Sequence, residues 1–497
     1  MPRVPYQFIP PGQDPIADRV RERRGVRGLT PLDATLLNAP GVADAWNKLL
    51  GTLRTQNSLS DDIKELMILR IAVLNNAAFE WIQHEQVGRA AGLTTAKLVV
   101  IQDTTTTESA VLTPLERAAL AFTDASTIQV RVPDAVYNNL KQELQAALAV
   151  HNPHNVTIDR QMVEATATVG GYNLVSRFLV ALDVDDRASQ PVPKIILPPS
   201  PSSNPLPPAQ EYPVWIDESV TLHARAHFHP THPAAPTVIF INSLLTNTSM
   251  WDRVLPAFAP SYTLITFDQR GHGHSSSPPS KSTIPRLAED VARVLDYFQI
   301  KQAHGVVGVS QGGATALAFA LAYPKRVRRL VACDTQAKSP AANKAAWDER
   351  IALARSGEDG MSKLASATAG RWFPAPGSSF APGEGAKEED FGVVRDMIQG
   401  TSVEGFAGSA AALQDYDLLG AGLIQTLQKA TSEKDMKVLL LAGELDGKLP
   451  AGLKALRDEI GGDETEVGYV SVKGSGHLPM LDNPKEFGEA VSAFLAS

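Results

Sequence analysis

The stretch "VVGVSQGGATALAF", residues 306–319, decides the fold. A β-branched run enters it, Ser310 stands between Gly308 and Gly312, and an alanine-rich run leaves it. That order predicts a strand, a very sharp turn and a helix. Glycines at both flanks relieve the clashes such a turn creates, and the serine is lifted above the sheet at the helix N-terminus. Small residues are common at strand–helix turns, so the motif needs partners before it means chemistry.

Working outward, apolar runs of strand length recur: TVIFIN (237–242), TLITFD (263–268), HGVVGV (304–309), RRLVACD (328–334), KVLLLAG (437–443) and VGYVSV (467–472). They alternate with helical patterns, one of which carries Leu287, Val291, Val294, Leu295 and Phe298. This rhythm predicts a mostly parallel sheet covered on both faces, an α/β domain over 214–497. The segment of about 338–435 is too long for a simple connection and predicts a helical lid. Upstream, residues 191–213 (PVPKIILPPSPSSNPLPPAQEYP) read as an extended, semi-rigid linker, because proline excludes helix there. Residues 1–190 predict an all-α domain. Ser60 would cap a helix with Asp61 and Asp62 in its first turn, followed by Ile63, Leu66, Met67, Ile71 and Leu74. Further helices are predicted over Phe79–Ala91 and from about Gln161 to Leu182.

A serine nucleophile needs a base, a carboxylate that orients the base, and oxyanion donors. On such sheets the partners follow the serine in the order acid, then histidine. Gly443-Glu444-Leu445-Asp446 follows one predicted strand, and Gly474-Ser475-Gly476-His477 follows the last. Both lie at C-terminal strand ends, where ligands gather in doubly wound sheets. A loop aspartate and a turn histidine are the bland readings; the order of all three favours a triad of Ser310, Asp446 and His477. The backbone N–H groups of Gln311 and Leu244 are the expected oxyanion donors. His272 and His274 read as turn residues. His223, His227, His229 and His232 fall on or beside an edge hairpin, and Cys333 reads as a small buried residue. With a single cysteine, no metal site is expected, and no cofactor.

The stretches "INSLLTNTSMWD", "DQRGHGHSS", "GVSQGG", "LVACDTQAKS", "RWF" and "EGFAGSAAALQDYDL", with "GSGHLPMLDNPKEF", resemble the α/β-hydrolase family, specifically its 3-oxoadipate enol-lactonase branch. The resemblance covers 212–497 and implies a serine-dependent opening of a small lactone. Arg371 and Trp372, in the Arg-Trp-Phe lid motif, would supply a carboxylate-binding fork and an aromatic wall.

In the first domain, "IKELMILRIAVLNNAAFEWIQHEQVGRAAGL" (Ile63 to Leu93) resembles the carboxymuconolactone decarboxylase family, which includes AhpD-like alkylhydroperoxidases. The redox members' glutamate–cysteine–cysteine–histidine spacing falls here on Glu65, Ala77, Glu80 and His84, so thiol chemistry is excluded. Glu80 and His84 stand four apart on one helical face and could handle the proton that cofactor-free decarboxylation requires, with Trp81 walling the pocket. An ordinary helix ion pair is the alternative. The two resemblances join, because such a decarboxylase makes the enol-lactone that such a hydrolase opens. Either order of steps is conceivable chemically, and the first domain could instead be an oligomerisation module beside a hydrolase of another lactone or ester.

Net charge of −8 argues against nucleic acid or an anionic membrane as partner. No apolar run approaches a membrane span, and the N-terminal residues lack a signal-peptide core. A cytoplasmic protein is expected, with a small lactone as its substrate and homo-oligomers formed through the N-terminal domain.

Overall fold

In the computed structural model, residues 2–105, 109–152, 155–195, 206–217, 219–277 and 280–497 are described. The centre of the predicted linker, 196–205, lies outside the described residues. The chain forms two compact units, Met1–Pro199 with Pro230–Ala234, and Ser200–His229 with Ala235–Ser497.

The described part of the first unit is helical. Its central helix, Asp61–Leu74, is buried on every face from Ile63 to Ala72 and packs against Ala78–Ala90, Pro114–Asp124 and Ile158–Leu182. That explains why the helix reads as apolar almost throughout rather than as a one-sided stripe. Its polar residues are matched inside the bundle: the buried Arg70 forks onto Asp124 at 2.6 and 2.7 Å. Ser60 stands at the N-cap, but its side chain makes no capping hydrogen bond; Asp61 and Asp62 supply negative charge at that end. The helices predicted from Phe79 and Gln161 begin earlier, at Ala78 and Ile158.

The second unit is an eight-stranded sheet: β1 (Gln210–Asp217), β2 (Val220–His227), β3 (Thr237–Ile241), β4 (Thr263–Phe267), β5 (Ala303–Val309), β6 (Val327–Cys333), β7 (Lys437–Gly443) and β8 (Val467–Val472). The order is β1-β2-β4-β3-β5-β6-β7-β8. β1–β2 and β2–β4 pair antiparallel and every other neighbour pairs parallel. β1 begins inside the stretch read as linker. Pro213 is tolerated because β1 is an edge strand, where a missing donor costs little.

Between β6 and β7 run the helices Asn343–Ala354, Gly360–Trp372, Val393–Gln399, Val403–Gln414 and Leu423–Ser432. The last of these packs on Gln311–Ala322, on Leu449–Ile460 and on β7, so it belongs to the layer covering the sheet. The others make the lid. Among the described residues no helix is long and apolar enough to cross a membrane.

Candidate active sites

The turn after β5 carries the serine. Ser310 holds φ 58° and ψ −118°, a conformation that L-residues avoid. Its N–H donates to the Cys333 carbonyl at 2.8 Å, and its own carbonyl accepts from Thr335 Oγ1 at 2.7 Å. The flanking glycines are required by close approach: a Cβ on Gly308 would lie 2.1 Å from the Gly312 carbonyl oxygen, and one on Gly312 would lie 2.1 Å from that of Ile241.

The structure brings the three expected side chains together. His477 Nε2 lies 2.8 Å from Ser310 Oγ, and His477 Nδ1 lies 2.6 Å from Asp446 Oδ2. An ionised carboxylate can only accept, so Nδ1 carries the proton and Nε2 is free to accept the serine's. Against the burial that would raise it, the charge and hydrogen bond of His477 hold Asp446 below the usual carboxylate range. Behind it stands Asp334, a group sequence reasoning passed over. Burial first, and then the charge of Asp446, push the Asp334 carboxyl well above its ordinary range, and it hydrogen-bonds Asp446. Among the described residues, Asp334, Asp446 and His477 are the one group of acidic and imidazole donors close enough to share a cation. Their polar atoms are already engaged with one another and with Ser310.

Leu244 lines the same cleft, and the backbone N–H groups of Leu244 and Gln311 donate to no backbone partner among the described residues. The Leu244 loop is held from below. Leu245 N–H donates to His272 Nε2 at 2.9 Å, and His272 Nδ1 faces the Arg270 carbonyl at 3.0 Å. Arg270 forks onto Asp290 at 2.5 and 2.6 Å, both buried. His223 faces Asp268 at 3.0 Å, with His274 ring against ring at 5.0 Å, while His227 Nδ1 meets the Pro207 carbonyl at 2.6 Å. These histidines serve the scaffold. Cys333 is fully buried, and burial pushes its thiol well up, so it is no nucleophile at neutral pH.

The cleft above Ser310 encloses about 580 Å³ and is lined by Arg371 and Trp372 together with Trp347, Arg350 and Lys448. Trp372 stacks on His477 with ring centroids 5.9 Å apart, and its carbonyl accepts from the His477 N–H at 2.7 Å. The lid motif is therefore tied to His477 itself. The Arg371 guanidinium faces the open cleft, yet surrounding protein and then the charge of Arg350 lower its pKa to about 10.

In the first unit, Glu80, Trp81 and His84 are all buried, which removes the exposed ion-pair alternative. His84, however, has a different carboxylate from the one its four-residue spacing implies. His84 Nδ1 lies 2.8 Å from Glu65 Oε2, and Arg54 Nη2 lies 3.2 Å from His84 Nε2. Arginine can only donate, so Nε2 accepts and Nδ1–H donates to Glu65. Arg54 also donates to the Tyr172 hydroxyl at 2.7 Å, and the His84 and Tyr172 rings meet edge to face at 5.1 Å. Burial lowers the His84 pKa and keeps the imidazole neutral. Both carboxyl oxygens of Glu80 are buried without a hydrogen-bond partner, as is Trp81 Nε1. Burial raises Glu80 well above its ordinary value of 4.5, which favours its protonated form. Sequence reasoning counted Glu65 in the motif spacing but missed its contact, and it missed Arg54 and Tyr172, which carry no local signal.

A doubly wound sheet with a serine on the strand–helix turn defines the class, and the chain belongs to the alpha/beta hydrolase fold family, whose model matches residues 236–484. Residues 40–125 match the carboxymuconolactone decarboxylase family, so the chain is a fusion of such a domain with an enol-lactonase-like hydrolase. It is similar to 3-oxoadipate enol-lactonase 2 of Acinetobacter baylyi, 34% identical over 261 residues that make up 52% of this chain and 88% of that protein. It is also similar to 3-oxoadipate enol-lactonase 1 of that organism, 26% identical over 267 residues, 53% of this chain and 90% of that one. The crystal structure of the enol-lactonase from Burkholderia xenovorans LB400 aligns with 56% of this chain and 98% of its own, at 28% identity and a TM-score of 0.47.

Proposed function

We propose that the second unit opens an anionic enol-lactone of the 3-oxoadipate type, with Ser310 as nucleophile, His477 as general base and acid, and Asp446 as its orienting carboxylate. The observation that carries this reading is the continuous row Ser310–His477–Asp446 at 2.8 and 2.6 Å, set in a cleft lined by Arg350, Arg371 and Lys448. His477 Nε2 takes the serine proton as Oγ attacks the lactone carbonyl. The oxyanion develops toward the N–H groups of Leu244 and Gln311. The ring C–O bond then breaks, its oxygen leaves as an enol, and the His477 imidazolium returns the proton. Water, deprotonated by His477, releases the acid from the serine, and the freed enol becomes a ketone. Arg371 binds the side-chain carboxylate against Trp372.

We also propose that the first unit decarboxylates a carboxylated lactone, giving one chain that runs consecutive steps of aromatic-acid breakdown. Loss of CO2 leaves an electron pair delocalised into the conjugated carbonyl, which must then receive a proton. Glu80, protonated and unengaged, is the donor the geometry favours; His84, fixed between Glu65 and Arg54, orders the wall beside it, and Trp81 closes the site. Subunits assemble through this unit, a reading supported by the exposed apolar residues Val163 and Leu174 on the helix Ile158–Leu182. The protein works in the cytoplasm and uses no cofactor.

The deciding experiment incubates the purified full chain with 4-carboxymuconolactone and with 3-oxoadipate enol-lactone, following CO2 and ring opening separately. Ring opening without CO2 from any carboxylated lactone would leave the first unit as scaffold. Absence of ring opening on any lactone or ester would remove the hydrolase reading. Sedimentation of the same protein checks the assembly.

A further inference from the structure

The cleft above Ser310 holds more positive charge than one carboxylate requires. Arg350 lies on the lid helix Asn343–Ala354, with its guanidinium 4.4 Å above the Trp347 ring. Arg371 ends the helix Gly360–Trp372, beside the base. Both line the cleft with Ser310, and among the described residues no carboxylate lies within salt-bridge distance of either guanidinium. Other lid arginines are satisfied: Arg355 forks onto Glu404 at 2.9 Å, and Arg395 pairs with Glu388 at 2.5 Å. Of the two aspartates lining the cleft, Asp446 is hydrogen-bonded to His477, and burial and the charge of Asp446 push the Asp334 carboxyl well above its ordinary range. Two guanidinium groups therefore face one cleft whose single ionised carboxylate, Asp446, is already hydrogen-bonded to His477, and the charge of Arg350 helps to lower Arg371. Such mutual repulsion is a standing cost that a ligand with two separated negative groups would relieve.

Resting on the proposed role of Ser310, we infer that this cleft has two carboxylate subsites, Arg371 for the first and Arg350 for the second, and accepts lactones that carry two carboxylates. The Trp347 ring, 4.4 Å from the Arg350 guanidinium, helps to position that group at the cleft, where its fork can meet a carboxylate. The hydrolase can then act on a lactone that has not yet lost its second carboxylate. Ring opening is thereby not obliged to follow decarboxylation.

The test uses inhibitors that differ by one carboxylate. Ring opening adds a carboxylate, so adipate mimics the opened product of a monocarboxylated lactone and butane-1,2,4-tricarboxylate that of a dicarboxylated one. Both are assayed against hydrolysis of 4-nitrophenyl acetate by the full chain, in low salt. The tricarboxylate should inhibit about 10-fold more strongly than adipate, the effect of one further charged hydrogen-bonded contact. Arg350→Met should abolish that preference while leaving adipate inhibition within about twofold, and Arg371→Met should weaken both. Equal inhibition by the two acids, or a preference that survives Arg350→Met, overturns the inference. If 4-nitrophenyl acetate is not turned over, it is the serine reading that fails; binding of the two acids is then read from tryptophan fluorescence, with the same outcomes deciding.

Discussion

The carboxyl of Asp334 hydrogen-bonds that of Asp446, and burial together with the charge of Asp446 pushes Asp334 well above its ordinary range. Asp334 also accepts from the Gly443 N–H at 2.9 Å, which ties the end of β6 to the end of β7 beneath Asp446. A protonated carboxyl at Asp334 would donate to Asp446 without adding a charge beside it.

An amide can do the same. Asp334→Asn should keep ring opening within about threefold, whereas Asp334→Leu, which donates nothing, should cost roughly 10-fold or more in kcat. The raised pKa carries a stability sign. Unfolded, Asp334 ionises near its ordinary 3.8, so the folded protein binds the extra proton and loses stability as pH rises above that value. The melting midpoint of Asp334→Asn should therefore exceed wild type by more at pH 8 than at pH 5. A constant difference across that range would mean that Asp334 is ionised in the fold.

Ser310 pays for its position in backbone strain, and the two roles of the residue can be separated. Ser310→Ala should lower lactone opening by about 10⁴-fold or more with a melting midpoint close to wild type. Ser310→Gly should be equally inactive yet more stable by roughly 1 kcal/mol, because glycine adopts positive φ freely. Thermal unfolding of the two variants beside a ring-opening assay checks both halves.

His272 supports the loop that carries Leu244. Burial lowers its pKa, so it stands neutral and accepts from the Leu245 N–H. His272→Ala should leave that N–H unpaired and loosen the loop, reducing kcat by about 10-fold with a smaller change in KM. In wild type, protonating this imidazole opposes folding, so its contribution is full above the ordinary 6.5 and is lost as pH falls below it. Stability of His272→Gln, set against wild type between pH 7 and 5, should show the smaller acid loss.

Glu80 makes the corresponding case in the first unit. Glu80→Gln should abolish CO2 release from 4-carboxymuconolactone while enol-lactone opening stays unchanged, since each reaction uses its own unit. The variant should also be more stable than wild type at neutral pH, with the gain growing as pH rises above 4.5, because a buried carboxyl resists the ionisation the unfolded chain undergoes. Full CO2 release by Glu80→Gln would move the proton donation to another group.

What the sequence determined by itself was local and ordered. Six apolar runs placed six strands, β3 to β8, because a parallel strand covered on both faces is short and apolar, and the half-buried edge strand β8 keeps enough of that pattern to be seen. Ser310, Asp446 and His477 were legible because each follows such a strand, and the C-terminal strand ends of a doubly wound sheet converge. Trp372 and Arg371 were found through a neighbouring-residue motif. The remaining contacts join residues that no spacing rule relates. Asp334 meets Asp446 across β6 and β7, Arg350 faces Arg371 from a different lid helix, and Tyr172 reaches Arg54 across 118 positions. The four-residue spacing of Glu80 and His84 put them on one face of a helix, but which carboxylate met the imidazole was decided by the neighbouring helix, from which Glu65 projects. Helical periodicity fixes direction about one axis; hydrogen-bond partners depend on how several axes pack, and that is set by the whole core.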